Sequence, residues 1–415
     1  MKPLYHRVAG LDVHRMLLVI TVLIELDDGS LSKQQRSFGS FKRDLRELVA
    51  WLQSLAVELV VMESTGIYWK SVYAALEDAG ILAHVANAHH VKNVPGRKTD
   101  IADSEWLAQL GRCGLLRPSF IPPKDLRELR IVSRYRQKVG QTYAAEKNRL
   151  HKILDDAGIR LGGVVADIDG VSARAMVKGL VEGRPIGQLA QLAQGVMRKK
   201  IETLELSLEG DLSPRHRFVP QQIEDHILHL EGELAQLDAY LIEAMAPYTE
   251  YWQWLQTIPG IDQVAAALIL VEIGDDLSVF ADAGHLASWA GLCPGNHESA
   301  GKRKTGKTRQ GNHAIRVILC EAANAARNTK SALRDKYQSL VARRGHKKAI
   351  IAVAHQILRT IYVLFTRREP YRDAGFDYEA AKVAKNAPRW IKALKKFGYW
   401  PKAHSVSTPA LVAAS

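Results

Sequence analysis

The chain carries the stretch VAGLDVHRMLLVITVLIEL at residues 8–26, which is two apolar runs separated by a short polar break. Runs of this length that are rich in Val, Ile and Leu are typical of strands. The tripeptide DDG at 27–29 is a hairpin turn signal, and residues 34–38 follow as a third strand. The stretch therefore predicts a meander of three successive strands.

Helix and strand patterns alternate in the next segment. Four apolar residues recur at helical spacing within 41–52, and residues 57–62 form a short β-rich run. A second helical pattern at 68–79 ends at a glycine, and residues 81–86 are predicted to be a fifth strand. A meander followed by helix, strand, helix and strand is the order of the ribonuclease H-like fold, which we predict for this part of the chain.

Composition excludes several classes of protein. The 415 residues are 47% hydrophobic and 24% charged, which is ordinary for globular proteins and excludes a collagenous or wholly disordered chain. The three cysteines form no CxxC pair, so neither a zinc site nor a disulfide framework is predicted. The apolar runs 16–24 and 264–271 are shorter than the roughly 20 residues of a membrane span, and we expect a soluble protein of a reducing cytoplasm.

Charge is distributed unevenly along the chain. The net charge is +13; residues 301–415 carry 25 basic and 6 acidic side chains, whereas residues 201–300 carry 2 basic and 17 acidic ones. Clustered cations favour a polyanionic partner. We therefore predict that the C-terminal part faces nucleic acid and that the acidic segment is a helical spacer.

The middle of the chain has two long helical patterns. Residues 126–154 are helical and basic, which is typical of a solvated face or of a helix that follows a phosphate backbone. Apolar residues at heptad spacing over 223–241 predict either a coiled-coil dimer contact or an intramolecular helix pair. The turn Ile258-Pro259-Gly260-Ile261 is similar to the hairpin of helix-hairpin-helix modules, although a plain turn between two helices fits equally well.

Four carboxylates are candidates for a metal site. Asp12 and Glu63 lie at the ends of strands that the predicted sheet makes neighbours, and Asp100 and Asp103 are three apart at a helix start. Carboxylate oxygens suit a pair of Mg²⁺ ions about 3.5 to 4 Å apart that promote phosphodiester cleavage. A single Asp at such a place is more often a helix cap, so the prediction depends on the four together.

A basic segment follows at 299–309. Residues 301–308 match the nucleotide-binding pattern G-x-x-x-x-G-K-[ST], but no buried strand precedes them, and we reject a nucleotide site. We predict instead a flexible loop in which Ser299 lies among cations that could stabilise a phosphate. These cations are Lys302, Arg303, Lys304, Lys307 and Arg309.

Taken together, six ordered motifs resemble the DEDD-type insertion-sequence transposases of the IS110 family, which are RNA-guided serine recombinases. Three blocks resemble its RuvC-like domain, and three its transposase domain, in matching order from about Val8 to Phe365. The first three are GLDVH (10–14), MESTG (62–66) and NVPGRKTDIAD (93–103). The others are IPG (258–260), WAGLCP (289–294) and SAGK (299–302) with GN (311–312).

The resemblance implies a fold and a domain order. It implies a RuvC-like DEDD catalytic domain at 1–122 and a helical region with the basic helix and a coiled-coil spacer at 123–250. A mainly α C-terminal transposase domain with the helix-hairpin-helix-like turn would occupy 251–370. Residues 371–415 would be a basic tail whose end is disordered.

The resemblance also implies a site and partners. Asp12, Glu63, Asp100 and Asp103 would hold Mg²⁺, and Ser299 would become covalently linked to DNA. Donor and target DNA, a guide RNA and a dimer or tetramer of the chain are the implied partners. Candidate nucleic-acid contacts are Arg97, Lys98, Arg127, Arg130, Arg134 and the five cations that follow Ser299. A RuvC-type endonuclease that uses water, or a non-enzymatic basic nucleic-acid-binding protein, remain the alternatives.

Overall fold

The computed structural model describes residues 3–64, 66–88, 91, 103–295, 297–299, 302–305, 308, 310–373 and 378–399. For residues 297–299, 302–305, 378–382 and 385 it describes the backbone alone. Two compact units divide the chain, Met1–Lys124 and Asp125–Ser415. The finer division into four domains stays a prediction.

The first unit is built on a mixed five-stranded sheet. Its strand order is β3-β2-β1-β4-β5; β1, β2 and β3 pair antiparallel, and β4 and β5 continue parallel to β1. This order confirms the ribonuclease H-like prediction for the N-terminal part. The strands are β1 (Arg7–Val13), β2 (Leu17–Glu25), β3 (Leu31–Gly39), β4 (Leu59–Glu63) and β5 (Ala83–Ala86).

Each face of this sheet has its own apolar core. Alternate residues of a strand point to opposite faces, so Ala9, Leu11 and Val13 of β1 pack toward one face with apolar residues of α1 and α2. Val8, together with Val61 of β4, faces the other side and packs on α3. The helices are α1 (Lys42–Ser54), α2 (Trp69–Asp78) and α3 (Asp103–Arg112).

Helix α3 lies very close to the sheet because small residues face each other there. A Cβ added to Gly10 would be 1.9 Å from the carbonyl oxygen of Ser104 and 2.5 Å from the backbone nitrogen of Ala108. Thr21 Oγ1 of β2 also hydrogen-bonds the buried Ser104 Oγ at 2.8 Å. The absence of a side chain at Gly10 thus sets where the N-terminal turn of α3 sits on β1.

Gly10→Ala is therefore expected to destabilise the first unit. The added methyl group meets backbone atoms that cannot rotate away, and overpacking of this kind costs about 1–3 kcal/mol. Urea unfolding followed by circular dichroism measures the change. Gly232→Ala is the control, because a Cβ at Gly232 meets nothing within 4 Å and Ala favours a helix. Equal stability of Gly10→Ala and wild type would contradict the close approach of α3.

The second unit is helical apart from one two-stranded sheet. Its long helices match the basic pattern and the heptad pattern predicted from sequence. The elements are α4 (Lys124–Asp156), α5 (Val171–Glu182), α6 (Ile186–Ala190), α7 (Ile201–Leu208), α8 (Pro214–Glu243), α9 (Thr249–Gln256), α10 (Gln263–Ile273), α11 (Ala283–Trp289), β6 (His297–Ser299), β7 (Lys302–Thr305), α12 (His313–Ala326), α13 (Ala332–Arg344), α14 (His346–Arg367) and α15 (Tyr378–Lys396).

Helix α14 alone among the described helices is long and apolar enough to cross a membrane by length and composition. Within the fold, however, Val353, Ile357 and Ile361 are fully buried, and the helix packs against α11, α12 and α13. The core of the second unit explains its apolar composition.

The heptad seam of α8 is partly used inside the chain. Ile223 and Ile227 are buried in a cluster with Leu150 and Leu154 of α4, and Arg136 of α4 forms an ion pair with Asp238 of α8. The intramolecular helix pair therefore accounts for this half of the seam. A contact between copies of the chain stays a prediction.

One local prediction was wrong. Residues 299–309 were expected to be a loop, but β6 and β7 pair antiparallel within that stretch. Helix α15 occupies 378–396, within the basic tail predicted at 371–415, and the extent of that tail stays a prediction. Ala and Lys dominate α15, and both residue types favour a helix. The end after residue 399 lies outside the described residues.

Candidate active site

Asp12 and Glu63 lie on the same face of the sheet. β1 pairs with β4 parallel and in register, with Leu11 opposite Met62, so the next residues along both strands are Asp12 and Glu63. Both share the side of the sheet that α3 covers, because Gly10 and Val61, two residues earlier in each strand, contact that helix. Both side chains are half-buried, and Asp12 Oδ2 lies 3.1 Å from His14 Nε2.

Asp103 is the first residue of α3, the helix that crosses this face. The Thr21–Ser104 hydrogen bond and the Gly10 approach hold the start of α3 against β1 and β2. Asp103 itself is exposed. The structure thus brings three of the four predicted carboxylates to one face of the sheet, and Asp100 lies outside the described residues, as do Arg97 and Lys98.

The donor set fits a hard divalent cation in its chemistry. All candidate ligands are carboxylates, which Mg²⁺ prefers. Within the described ranges, however, no three His, Cys, Asp or Glu side chains are grouped closely enough to hold a metal ion. The metal site therefore stays a prediction that requires Asp100 in addition to the described carboxylates.

Ser299 lies near the turn of a β-hairpin. Its backbone pairs with Lys302 in the last step of the β6–β7 ladder, and Glu298 pairs with Arg303 in the step before. A further bridge between Pro294 and Thr308 closes the base of this hairpin. Lys304 lies in β7, whereas Lys307 and Arg309 are outside the described residues. The hairpin thus places Ser299 and Lys302 side by side in the backbone.

The end of the hairpin segment is fixed to the rest of the second unit by Gly311 and Asn312. A Cβ at Gly311 would lie 2.3 Å from the backbone nitrogen of Gly291 and 2.5 Å from the carbonyl oxygen of Trp289. The backbone N–H of Asn312 donates to that same carbonyl of Trp289 at 3.0 Å. Two of the sequence motifs, WAGLCP and GN, therefore meet in space and hold the base of the hairpin.

Asn312 also links helix α12 to a buried carboxylate. Its Oδ1 accepts from the backbone amides of Ala314 and Ile315, which caps α12. Its Nδ2 donates to Glu272 Oε2 at 2.7 Å. Glu272, in helix α10, has no solvent exposure. The carboxylate is thus part of the support of the Ser299 hairpin.

Two arginines of the basic helix α4 compensate the charge of Glu272. Arg134 Nε lies 3.3 Å from Glu272 Oε1, and Arg130 Nε lies 3.4 Å from Oε2. Arg130 also donates to the carbonyls of Val271 and Glu272 at the end of α10. Burial lowers the pKa of Arg130 to about 10, and the Glu272 carboxylate opposes that shift.

The three arginines predicted to contact nucleic acid from α4 thus differ in their surroundings. Arg130 is largely buried and Arg134 is half-exposed, and both are engaged with Glu272. Arg127 is half-buried and also has a partner. Contact of these side chains with nucleic acid stays a prediction, since the structure assigns Arg130 and Arg134 a role inside the second unit.

The turn at 258–261 packs against helix α12. Gly260 has a φ of 90°, and a Cβ there would lie 2.4 Å from the carbonyl oxygen of Ala322 and 2.6 Å from the backbone nitrogen of Ala326. Only glycine fits this conformation and this contact. The turn joins α9 to α10 as predicted, and phosphate binding by its amides stays a prediction.

Sequence reasoning missed Glu272. The sequence did contain an indication of its importance, because Glu272 is the sole charged residue of α10, whose sequence is QVAAALILVEI. A charge inside an apolar helix requires a buried partner. The partners come from α4, more than 130 residues away in the chain, so the sequence could indicate the need for them but not their identity.

Two models of known protein families match segments of the chain. A family model described as Transposase, for DEDD transposases of the IS110 type, matches residues 9–159. A second model, described as Transposase IS116/IS110/IS902 family, matches residues 253–338. The first matched segment contains the Asp12, Glu63 and Asp103 face, and the second contains the Ser299 hairpin and Glu272.

Relatives that match most of the chain are also transposases or recombination proteins by name. The transposase for insertion sequence element IS1111A of Coxiella burnetii is 26% identical, with 79% of this chain and 82% of that protein covered. The putative transposase y4pF/y4sB of Sinorhizobium fredii is 32% identical, with 80% and 79% covered. A pilin gene-inverting protein of Moraxella bovis is 23% identical, with 81% and 90% covered.

The fold of the first unit, the two matched segments and the relatives define the class: the chain is a DNA transposase. Within that class, it belongs to the IS110 family of insertion-sequence transposases.

Proposed function

We propose that the chain excises and inserts its own insertion sequence by DNA strand cleavage and exchange, with Ser299 as the nucleophile and an RNA from the element as the guide. The observation that carries the proposal is the arrangement of Asp12 and Glu63 in register on one face of the sheet, under the helix that begins at Asp103. The name of the Moraxella bovis relative, which inverts a pilin gene, supports DNA recombination within this group.

The chemistry assigned to Ser299 is a phosphoryl transfer. Its Oγ attacks a phosphodiester, an Oγ–P bond forms, and the bond from phosphorus to a sugar oxygen breaks, with the proton going to that oxygen. In strand exchange a second sugar hydroxyl attacks the phosphoserine, the Oγ–P bond breaks and the serine is restored. Lys302, the backbone neighbour of Ser299, and Arg303 would stabilise charge on the phosphate.

The carboxylates would hold the divalent cation. Asp12, Glu63, Asp100 and Asp103 are its ligands in this proposal, and bound Mg²⁺ would supply electrostatic stabilisation of the reacting phosphate. The ligands and Ser299 belong to different units of the chain, and we propose that they combine in an oligomer, a dimer or a tetramer. The protein would act on chromosomal DNA in the bacterial cytoplasm.

A strand-joining assay tests the proposed function. Purified protein, Mg²⁺, labelled donor and target DNA, and RNA transcribed from the flanks of the element are combined, and products are separated on a sequencing gel. We expect joined donor–target strands that require the RNA. Cleavage without joining would favour a RuvC-type endonuclease, and binding with neither product would favour a non-enzymatic nucleic-acid-binding protein.

A further inference from the structure

Helix α14 has a polar face that the core does not cover. Its residues at spacings of three and four on that face are Gln356, Arg359, Thr360, Val363 and Arg367. Together with the segment after the helix they line a cavity of about 460 Å³. We name it the cationic cleft, and its remaining lining residues are Ala283, Leu364, Glu369, Pro370, Tyr371 and Arg372.

Positive charge in and beside the cationic cleft is poorly compensated. Lys336 of α13 donates to the neutral Gln356 at 2.8 Å, and burial together with the charge of Arg359 lowers the pKa of Lys336. Burial, Arg359 and Lys336 likewise lower the pKa of His355. In the described part of the chain the one ion pair of the cleft joins Arg367 to Glu369 at 3.5 Å, and both side chains are exposed.

We propose that the cationic cleft binds the sugar–phosphate backbone of a nucleic acid. Arg359, Arg367 and Arg372 lie exposed at the cleft, and a polyanion would compensate their clustered positive charge. The lining combines arginines with Gln, Thr and Tyr, which are among the side chains that hydrogen-bond phosphate and sugar in protein–DNA complexes. The inference rests on the proposed function, to which it adds a defined site within the basic C-terminal part, built from residues that are not among the individual contacts predicted from sequence.

The length of the cleft favours a polymer over a single phosphate. Arg359 and Arg367 are eight residues apart on one helix, which is about 12 Å at a rise of 1.5 Å per residue. One strand of DNA carries a charge about every 3.4 Å along the axis, so this distance spans about three phosphates. Arg372 adds a third cation at the same cavity.

Salt-dependent binding tests the proposal. Wild type, Arg359→Gln, Arg372→Gln and the double variant are titrated against a labelled 20-bp duplex and a labelled single-stranded RNA, in EDTA so that no cleavage occurs. The slope of log K against log salt is negative, and its magnitude falls by about 0.9 for each lost duplex phosphate contact and by about 0.7 for each lost single-strand contact. We expect the double variant to lose nearly two contacts with one of the two nucleic acids, which identifies that nucleic acid as the occupant.

Arg160→Gln is the matched control, because it removes one exposed cation that pairs with Asp155 far from the cleft in sequence. It lowers the net charge as Arg359→Gln does, and we expect its slope to equal that of wild type.

Arg359→Gln should also unfold at the same temperature as wild type or higher, because it removes repulsion from Lys336. Equal slopes for the cleft variants and Arg160→Gln would overturn the inference while leaving the proposed function intact. Absence of binding by wild type would overturn both.

Discussion

Glu272→Ala is expected to lower the free energy of unfolding of the second unit by about 3–5 kcal/mol. The substitution removes the buried carboxylate that lies against the largely buried Arg130, and it removes the acceptor of Asn312 Nδ2. Removal of one partner of a buried ion pair is costly because the remaining charge cannot be solvated. The loss is a large part of the 5–15 kcal/mol that stabilises a typical domain, and urea unfolding measures it.

The control for this prediction is Asp155→Ala. Asp155 pairs with Arg160 at 2.8 Å, but both side chains are more than half exposed, and exposed pairs contribute about 0–1 kcal/mol. Glu272→Gln should be intermediate, since it retains an acceptor for Asn312 but not the charge. A loss below about 1 kcal/mol for Glu272→Ala would contradict the role of this carboxylate as a buried link between α4, α10 and α12.

Asp12→Asn is expected to slow strand joining by about a thousandfold or more. Loss of one carboxylate ligand removes several kcal/mol of charge stabilisation, and each 1.36 kcal/mol is about tenfold in rate. The fold should persist, because Asp12 is half-buried at a strand end and Asn has nearly the same shape. Rates are measured in single-turnover joining assays over a range of Mg²⁺ concentrations.

A second readout separates metal binding from catalysis. Mg²⁺ that binds the folded state but not the unfolded state should raise the unfolding temperature of wild type. Asp12→Asn should lose that increase. Asp27→Asn changes an exposed carboxylate in the turn after β2, at the end of the β1–β2 pair opposite Asp12, and should retain both the rate and the increase. Mg²⁺-dependent joining by Asp12→Asn at the wild-type rate would exclude Asp12 from the metal site.

Local pattern was sufficient to predict the first unit. The apolar runs, the DDG turn and the alternation of helix and strand predicted the five strands, and the sheet order then followed from the ribonuclease H-like topology. The same order predicted that Asp12 and Glu63 would lie beside each other, because β1 and β4 are adjacent and parallel. These features depend on short stretches of chain and on a topology with few alternatives.

The parts that sequence did not predict depend on contacts between distant segments. The partners of Glu272 come from α4 and from Asn312. The β6–β7 pairing lacks the apolar alternation that marks strands, because Lys302, Arg303 and Lys304 form β7. Gly311 was recognised as part of a motif, but the reason for glycine there is its contact with Gly291, which only the folded chain reveals.

Covalent trapping on DNA tests whether Ser299 is the nucleophile. Wild type, Ser299→Ala and Ser299→Cys are incubated with Mg²⁺, guide RNA and labelled DNA, denatured, and separated on a gel that resolves protein–DNA adducts. We expect wild type to form an adduct that withstands denaturation and that is absent with Ser299→Ala. The mass of the adduct peptide should place the nucleotide on Ser299. Cleavage by Ser299→Ala at the wild-type rate, with no adduct for any protein, would contradict the account and indicate a nuclease that uses water.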